Sequence, residues 1–180
     1  MTPYNVVVLT VASAIVAGIL LAFAFYTLKP HEAPLSFDTI REVALAASEM
    51  REFRLPKPAI VEGFTAGLRI GEVRVPATRV QLTWECPSPV YIENYGSWIL
   101  WSNLTHAGLN SSVYVKDEES ILRIYFFAKG GDRVFRLDYR ATELVFEAVL
   151  ADSTVFFDGA QVYSFSGWRE VKVYRVRVGG

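Results

Sequence analysis

Residues 79–84 read RVQLTW, in which every second side chain, from Val80 to Trp84, is apolar. Successive side chains of a β-strand point to opposite faces, so this alternation predicts a strand with one buried and one wet face. The same period of two recurs in FRLDYR (135–140) and ELVFEA (143–148). Repeated alternation of this kind is typical of antiparallel sheets that cover a core on one side.

Glycine-containing turns separate the predicted strands. Residues 129–132 (KGGD) and 158–159 (DG) are predicted hairpin turns, because glycine adopts a positive φ without steric cost. The apolar phase slips by one residue between Val173 and Tyr174 and again near Gly71, and each slip predicts a β-bulge. About nine short strands with turns between them predict an antiparallel β-sandwich of Greek-key type, with one short amphipathic helix.

The N-terminal stretch 6–28, VVVLTVASAIVAGILLAFAFYTL, contains no charged side chain. As a helix rising about 1.5 Å per residue it is long enough to cross a hydrocarbon core of about 30 Å. We therefore expect residues 1–28 to form an apolar helix that spans a membrane or packs in the core of a filament. A cleaved signal peptide is the alternative, but its apolar part is about 7–15 residues long and follows a cationic segment.

Small residues recur along this stretch at the spacing that lets two helix backbones approach closely. We expect the helices of several copies to pack through Ser13, Ala14, Ala17, Gly18 and Ala22. The predicted partner is therefore a homo-oligomer of this chain.

Residues 29–58 are predicted to form a proline-bounded connector that contains the amphipathic helix. The helix is expected to run from Phe37 or Asp38 to Phe53, with Asp38 as its N-cap and LPKP (55–58) after its end. It lies on the β domain or, alternatively, beside the membrane. Its apolar side is formed by Ile40, Val43, Ala47, Met50 and Phe53.

Two N-glycosylation sequons begin at Asn103 and Asn110, in one polar stretch expected to be a loop. The sequons favour an extracellular location for the β domain, which is predicted to span residues 59–180. By the positive-inside rule, Lys29 and Arg41 instead favour the cytoplasm. A basic leader cleaved before the first residue would remove the conflict. We expect a cell-surface protein that its N-terminal helix anchors in the membrane, at least before assembly.

No pattern predicts catalysis or a bound cofactor. His31 and His106 have no second histidine or cysteine at metal-ligand spacing, and the lone Cys86 excludes an intramolecular disulfide. Three carboxylates at 117–119 could bind calcium, although such a run is more often a solvated turn. The net charge of −1 predicts no nucleic-acid partner. We expect no cofactor, no metal and no enzymatic activity.

Aromatic residues make up 14% of the sequence and crowd into residues 84–101. They form a β core, a stacking platform for a glycan or an anchor in a subunit contact. We predict that Trp84 and Trp98 lie in the core and that Tyr95 is an exposed contact residue. The last strand has a basic side formed by Arg169, Lys172, Arg175 and Arg177. This side either discourages edge pairing or meets an acidic patch on a neighbour.

The layout of a charge-free N-terminal helix followed by one β domain resembles archaeal type IV pilin-like surface proteins, with archaellum stator-like proteins as the second choice. The local correspondence is residues 2–28. Two features depart from the pilin pattern: no Lys/Arg-Gly leader precedes the helix, and the predicted helix 38–53 is not a standard pilin element. Asn5 stands where bacterial relatives of these proteins have an acidic residue. Archaeal forms tolerate a neutral residue at this position.

The resemblance implies a structural subunit of a cell-surface filament, with the helix in the filament core and the often glycosylated β domain as its outer wall. The alternative is a single-pass, membrane-anchored binding module. Such a module would contact a surface-layer protein, a glycan or a partner subunit of a membrane complex.

Overall fold

The computed structural model describes residues 15–19, 35–137 and 142–179. The chain divides into two compact units, Met1–Ala33 and Pro34–Gly180. In the first unit residues 15–19 are helical and exposed. The rest of the predicted helix 6–28 lies outside the described residues, and so do Ser13, Ala14 and Ala22.

For the described residues, the predicted membrane anchor is wrong. In the described part of the chain no helix is long and apolar enough to cross a membrane. The structure therefore gives no support for the predicted long apolar helix, nor for the cell-surface location that this helix was expected to provide.

Helix α1 (Phe37–Ser48) opens the described part of the second unit. Its N-cap is Ser36 and not Asp38, because the Ser36 hydroxyl accepts a hydrogen bond from the Asp38 N–H at 3.2 Å. The amphipathic prediction is confirmed for its central residues. The buried face is formed by Ile40, Val43, Ala44, Ala46 and Ala47.

The end of α1 comes earlier than the predicted Phe53. Met50 adopts a positive φ of 52°, and its N–H donates to the Ala47 carbonyl at 3.1 Å. The N–H of Arg51 donates to the Ala46 carbonyl at 2.8 Å. This pair of bonds is a Schellman motif, which satisfies the last carbonyls of the helix and turns the chain toward the sheet.

The described residues of the second unit form ten strands. They are β1 (Phe53–Ile70), β2 (Val73–Glu85), β3 (Tyr91–Tyr95), β4 (Trp98–Ser102), β5 (His106–Ser111), β6 (Tyr114–Glu118), β7 (Ile121–Lys129), β8 (Arg133–Leu137), β9 (Thr142–Phe157) and β10 (Ala160–Val178). They make a single hydrogen-bonded sheet in the order β3-β4-β5-β2-β1-β9-β10-β7-β6, with β8 beside β1. Strands β7 and β10 are parallel and the other pairs are antiparallel. The predicted antiparallel sandwich of Greek-key type is therefore wrong.

The reason for a single sheet is that its long strands bury both of their faces. Strand β1 pairs with β2 without a register break, yet it buries Val61 in one core and Ala66 and Leu68 in another. Residues an odd number of positions apart point to opposite faces of a strand. Strand β2 changes face in the same way between Ala77 and Val80.

Strands β7 and β10 repeat this change of face. Phe126 and Phe127 of β7 pack in different cores. Val173 and Val176 of β10 are divided between the same two cores. The first core is covered by α1, β4, β5 and β8, whereas the second takes residues from β9. The same four strands thus contribute to two hydrophobic cores on opposite faces of one sheet.

Two turn and bulge predictions are confirmed and two are wrong. The register of β9 and β10 shifts between Val173 and Tyr174, and residues 158–159 form a hairpin loop. The slip near Gly71 is a hairpin turn rather than a bulge, with Gly71 at a φ of 56°. Residues 129–132 make no hairpin, because β8 pairs with β1 and not with β7.

The prolines expected after the helix lie inside β1. Pro56 and Pro58 fall where the pairing of β1 with β8 changes register, between Arg54 and Ala59. Proline has no N–H to donate to a neighbouring strand, so the ladder is interrupted there. Regular pairing with β2 begins at Ile60.

Candidate binding face

The side of strands β3, β4, β5, β2 and β1 that faces away from the first core is named the outer face. Its central row follows the strand register: Ile92 lies opposite Trp101, and Trp101 lies opposite Gly108. Gly108 in turn lies opposite Thr83, and Thr83 opposite Ile60. Ile92 is 76% exposed and Ile60 is 56% exposed. The row therefore crosses five strands, with exposed isoleucines at its two ends and the partly exposed Trp101 and Thr83 between them.

Trp101 covers the glycine at the middle of this row. A Cβ atom placed on Gly108 would lie 2.7 Å from Cζ2 of the Trp101 indole and 2.3 Å from the Leu82 carbonyl oxygen. Both distances are shorter than a Cβ contact allows. Glycine at this position is what lets the indole lie against the sheet. The Trp101 Nε1 atom is buried and has no hydrogen-bond partner within the described ranges.

The adjacent row of the outer face carries amides. Asn94 lies opposite Ile99, Ile99 opposite Asn110, and Asn110 opposite Gln81. The Asn110 Oδ1 atom is buried without a hydrogen-bond partner among the residues seen, and Gln81 Nε2 donates to the Thr83 hydroxyl at 3.3 Å. The centre of the outer face is thus aromatic, aliphatic and amide in character, with no charged side chain in its two central rows before Glu62 of β1.

The two sequons differ in their surroundings. Asn103 is exposed between β4 and β5, and its Oδ1 accepts the N–H groups of Thr105 at 2.9 Å and His106 at 2.7 Å. These bonds fix the side chain through its oxygen, whereas the Nδ2 atom, to which a glycan attaches, donates to no residue of the described ranges. Asn110 lies within β5 and not in the expected loop. Glycosylation at either position remains a prediction.

Tyr95, the expected contact residue, is half-buried on the opposite side of β3. The Glu93 Oε2 atom accepts hydrogen bonds from the Tyr91 hydroxyl at 2.5 Å and the Tyr95 hydroxyl at 2.7 Å. Arg41 of α1 donates to the same oxygen at 3.3 Å and to the Tyr91 hydroxyl at 2.9 Å. These bonds tie the edge strand to the helix, so the Tyr95 hydroxyl is already used within the fold.

The donors around Glu93 change the acidity of the group. The Tyr91 bond, followed by the Tyr95 bond and the Arg41 contacts, holds the pKa of Glu93 below its ordinary value. The bond to Glu93 raises the pKa of Tyr95 in return. Both shifts favour the ionised Glu93 carboxylate beside a protonated Tyr95.

Replacing Glu93 by glutamine should flatten the acid side of the stability profile. The pKa of Glu93 is lower in the folded state, so its contribution is complete above the ordinary value of 4.5 and is lost as the pH falls through the folded value. We expect Glu93→Gln to be less stable than the parent at neutral pH and to lose less stability on acidification. Urea unfolding at several pH values measures both effects.

Glu62→Gln is the matched control for this experiment. Glu62 is exposed, and it makes no hydrogen bond or ion pair with any described residue. Its substitution should leave the pH profile of the parent unchanged. Parallel profiles for Glu93→Gln and the parent would contradict a special role for the Glu93 cluster.

The basic side of the last strand is neutralised within the chain. Strand β10 lies between β9 and β7, so the guarding of a sheet edge does not apply to it. Lys172 Nζ lies 3.2 Å from Glu147 and 3.0 Å from Glu170. The other cations of this side also have carboxylate partners: Arg169 with Asp117, and Arg175 and Arg177 with Glu143. A contact with an acidic neighbour remains a prediction.

The remaining candidates for chemistry are held in structural roles. Trp84 and Trp98 are 3% and 0% exposed, which confirms their place in the core. Cys86 is buried, and its burial raises the pKa of the thiol, which contacts the Leu35 carbonyl at 3.0 Å. In the three described ranges no group of three histidine, cysteine or carboxylate side chains is placed to hold a metal ion.

Comparisons by sequence and by structure find no matching protein family, no matching curated protein and no matching solved structure.

Sequence reasoning did not single out the outer face. The sequence does not distinguish Trp101 from the other aromatic residues of 84–101, and no pattern in it marks Gly108. The available signal was strand phase in WILWS (98–102), where Trp98 and Leu100 share one face and Trp101 takes the other. Ile60 gave no such signal, because only the register of β1 with β2 brings it into the row.

Proposed function

We propose that this chain is a non-catalytic binding protein and that its outer face takes a neutral polysaccharide. The observation that supports this most directly is the Trp101 indole, which lies over Gly108 on a sheet surface flanked by amides. The binding-module function expected from the sequence is retained in this form.

The chemistry of the outer face fits sugar rings better than charged ligands. A sugar ring presents C–H groups on its face, which pack on an indole, and hydroxyl groups at its edge. Amide side chains can donate and accept together, and therefore match hydroxyl groups. Asn94, Asn110 and Gln81 supply such groups next to Trp101. Apart from Glu62 at the β1 end of the amide row, the described residues of the two central rows carry no charged side chain, so these rows give no reason to favour an anion or a cation.

Replacing Trp101 by alanine should strongly weaken polysaccharide binding. We expect a loss of affinity of at least about tenfold, equivalent to about 1.4 kcal/mol, because the stacking surface is removed. Affinity electrophoresis in gels that contain dextran, mannan or soluble β-glucan identifies the polysaccharide, and calorimetry with its oligosaccharides measures the affinity.

Trp168→Ala is the matched control, because Trp168 is 73% exposed on β10, outside the outer face. It should bind like the parent. The proposal fails if none of the polysaccharides retards the parent, or if Trp101→Ala and Trp168→Ala lose affinity equally.

A second candidate is the filament subunit, and it is favoured by the two ends of the sheet. In the described chain the sheet ends at β3 on one side and at β6 on the other, so its open edges differ. Contacts between two unlike surfaces repeat from copy to copy and generate open filaments. Sedimentation velocity with electron microscopy separates the candidates: polymers favour the filament, and a monomer at every concentration excludes self-assembly.

A further inference from the structure

Two arginines face each other on the half of the sheet that lies beyond the outer face. Arg69 of β1 and Arg74 of β2 are direct partners in the strand register, and both are exposed. Like charges placed directly opposite each other on neighbouring strands destabilise a sheet. Neither guanidinium makes an ion pair or a hydrogen bond with another residue of the described ranges.

Most arginines of the described ranges lie beside a carboxylate, although Arg54 and Arg133 are unpaired like Arg69 and Arg74. Arg123 pairs with Glu118, and Arg79 lies 3.5 Å from Asp158. Asp158 is the acidic residue of the neighbouring turn, but its other carboxylate oxygen accepts the Gly67 N–H at 2.9 Å. The Arg69–Arg74 pair is therefore left with positive charge that the surrounding fold does not neutralise.

The pair borders a cleft that is lined partly by apolar residues and is open above a glycine. The cleft has a volume of about 530 Å³ and is also lined by Gly67, Pro76 and Phe156. The Arg69 Cζ atom lies 4.4 Å from the centre of the Phe156 ring. A Cβ atom added to Gly67 would meet nothing within 4 Å, so the floor of the cleft is empty above this residue.

We propose that this cleft binds a phosphate ester whose organic part is a ring or another apolar group. Guanidinium groups match phosphate oxygens with paired hydrogen bonds, and a phosphomonoester carries about two negative charges at neutral pH. Two adjacent arginines balance that charge better than they balance a single carboxylate. Phe156 and Pro76 provide the surface for the organic part. This site is separate from the polysaccharide surface, so either can fail alone.

Phenyl phosphate is the probe, because it joins a phosphate to one ring. The purified full chain is titrated by calorimetry, and its thermal unfolding is followed with and without phenyl phosphate at constant ionic strength. A ligand that binds the folded state raises the melting temperature by mass action. We expect binding to the parent, and a loss of affinity of at least about tenfold for Arg69→Gln with Arg74→Gln.

Arg54→Gln with Arg133→Gln is the control that removes the same charge elsewhere. Both arginines are exposed in strands and make no ion pair with the described residues. The control should bind phenyl phosphate like the parent. Without ligand, the Arg69 and Arg74 double variant should melt no lower than the parent, because repulsion between the two cations is relieved.

Gly67→Val tests the cleft without changing its charge. The valine side chain would fill the open floor, so phenyl phosphate should bind at least about tenfold more weakly while inorganic phosphate is retained. The proposal is overturned if the parent shows no binding of phenyl phosphate, if both double variants lose equal affinity, or if Gly67→Val leaves the affinity unchanged.

Discussion

Gly108→Ala is expected to lower the free energy of unfolding by about 3 kcal/mol, at the upper end of the cost of overpacking. The added methyl group would lie 2.3 Å from the Leu82 carbonyl oxygen, which belongs to the backbone of the neighbouring strand. It would also lie 2.7 Å from the Trp101 indole. The indole can rotate away, but the backbone of β2 can yield only by loosening its pairing with β5. Urea unfolding of the parent and the variant measures the loss.

The matched control is the same change at another strand glycine. A Cβ atom on Gly67 of β1 meets nothing within 4 Å, so alanine fits there without movement. Gly67→Ala should be neutral or stabilise by about 0.5–1 kcal/mol, since glycine loses more backbone entropy on folding. Equal destabilisation by the two changes would show that close approach at Gly108 is not the cause.

Trp98→Ala is expected to be the most damaging single truncation, with a loss of about 3–5 kcal/mol. Trp98 is 0% exposed in the first core, and its ring centroid lies 4.8 Å from that of Phe127. A loss of this size is a large part of the total stability of a domain, which is about 5–15 kcal/mol. We expect the variant to be partly unfolded at moderate temperature, as circular dichroism and urea unfolding will show.

Trp98→Phe separates the volume of the indole from its N–H group. The Trp98 Nε1 atom is buried and has no hydrogen-bond partner in the described part of the chain. Removing an unsatisfied donor recovers its desolvation cost and offsets part of the lost packing. The phenylalanine variant should therefore lose less than about 1.5 kcal/mol. A loss as large as that of Trp98→Ala would indicate that the N–H is bonded after all.

The strands were accessible to sequence reasoning, but the way they assemble was not. The alternation of RVQLTW correctly predicted that Val80, Leu82 and Trp84 are buried together. The phase slip between Val173 and Tyr174 correctly predicted a register shift. It did not reveal that the strand changes cores at this point. A slip in one strand acquires that meaning only when β1 and β2 are seen to change face as well.

The candidate sites depended even more on tertiary structure. Arg69 and Arg74 are five positions apart in the sequence, and only the turn at Gly71 places them opposite each other. Phe156 reaches the same cleft from β9 through pairing over a long separation. Tyr95, the predicted contact residue, donates its hydroxyl to Glu93, a hydrogen bond that the sequence pattern does not reveal. Such relations follow from register and packing, which composition and periodicity do not determine.

The sharing of β1, β2, β7 and β10 between two hydrophobic clusters has a consequence for folding cooperativity. Each of these strands contributes side chains to both clusters, so neither cluster can unfold while the strands stay in place for the other. Unfolding of one cluster would remove strands on which the other cluster depends, so both clusters would lose stability. The second unit of the chain is therefore expected to behave as one foldon, although its apolar residues form two separate groups.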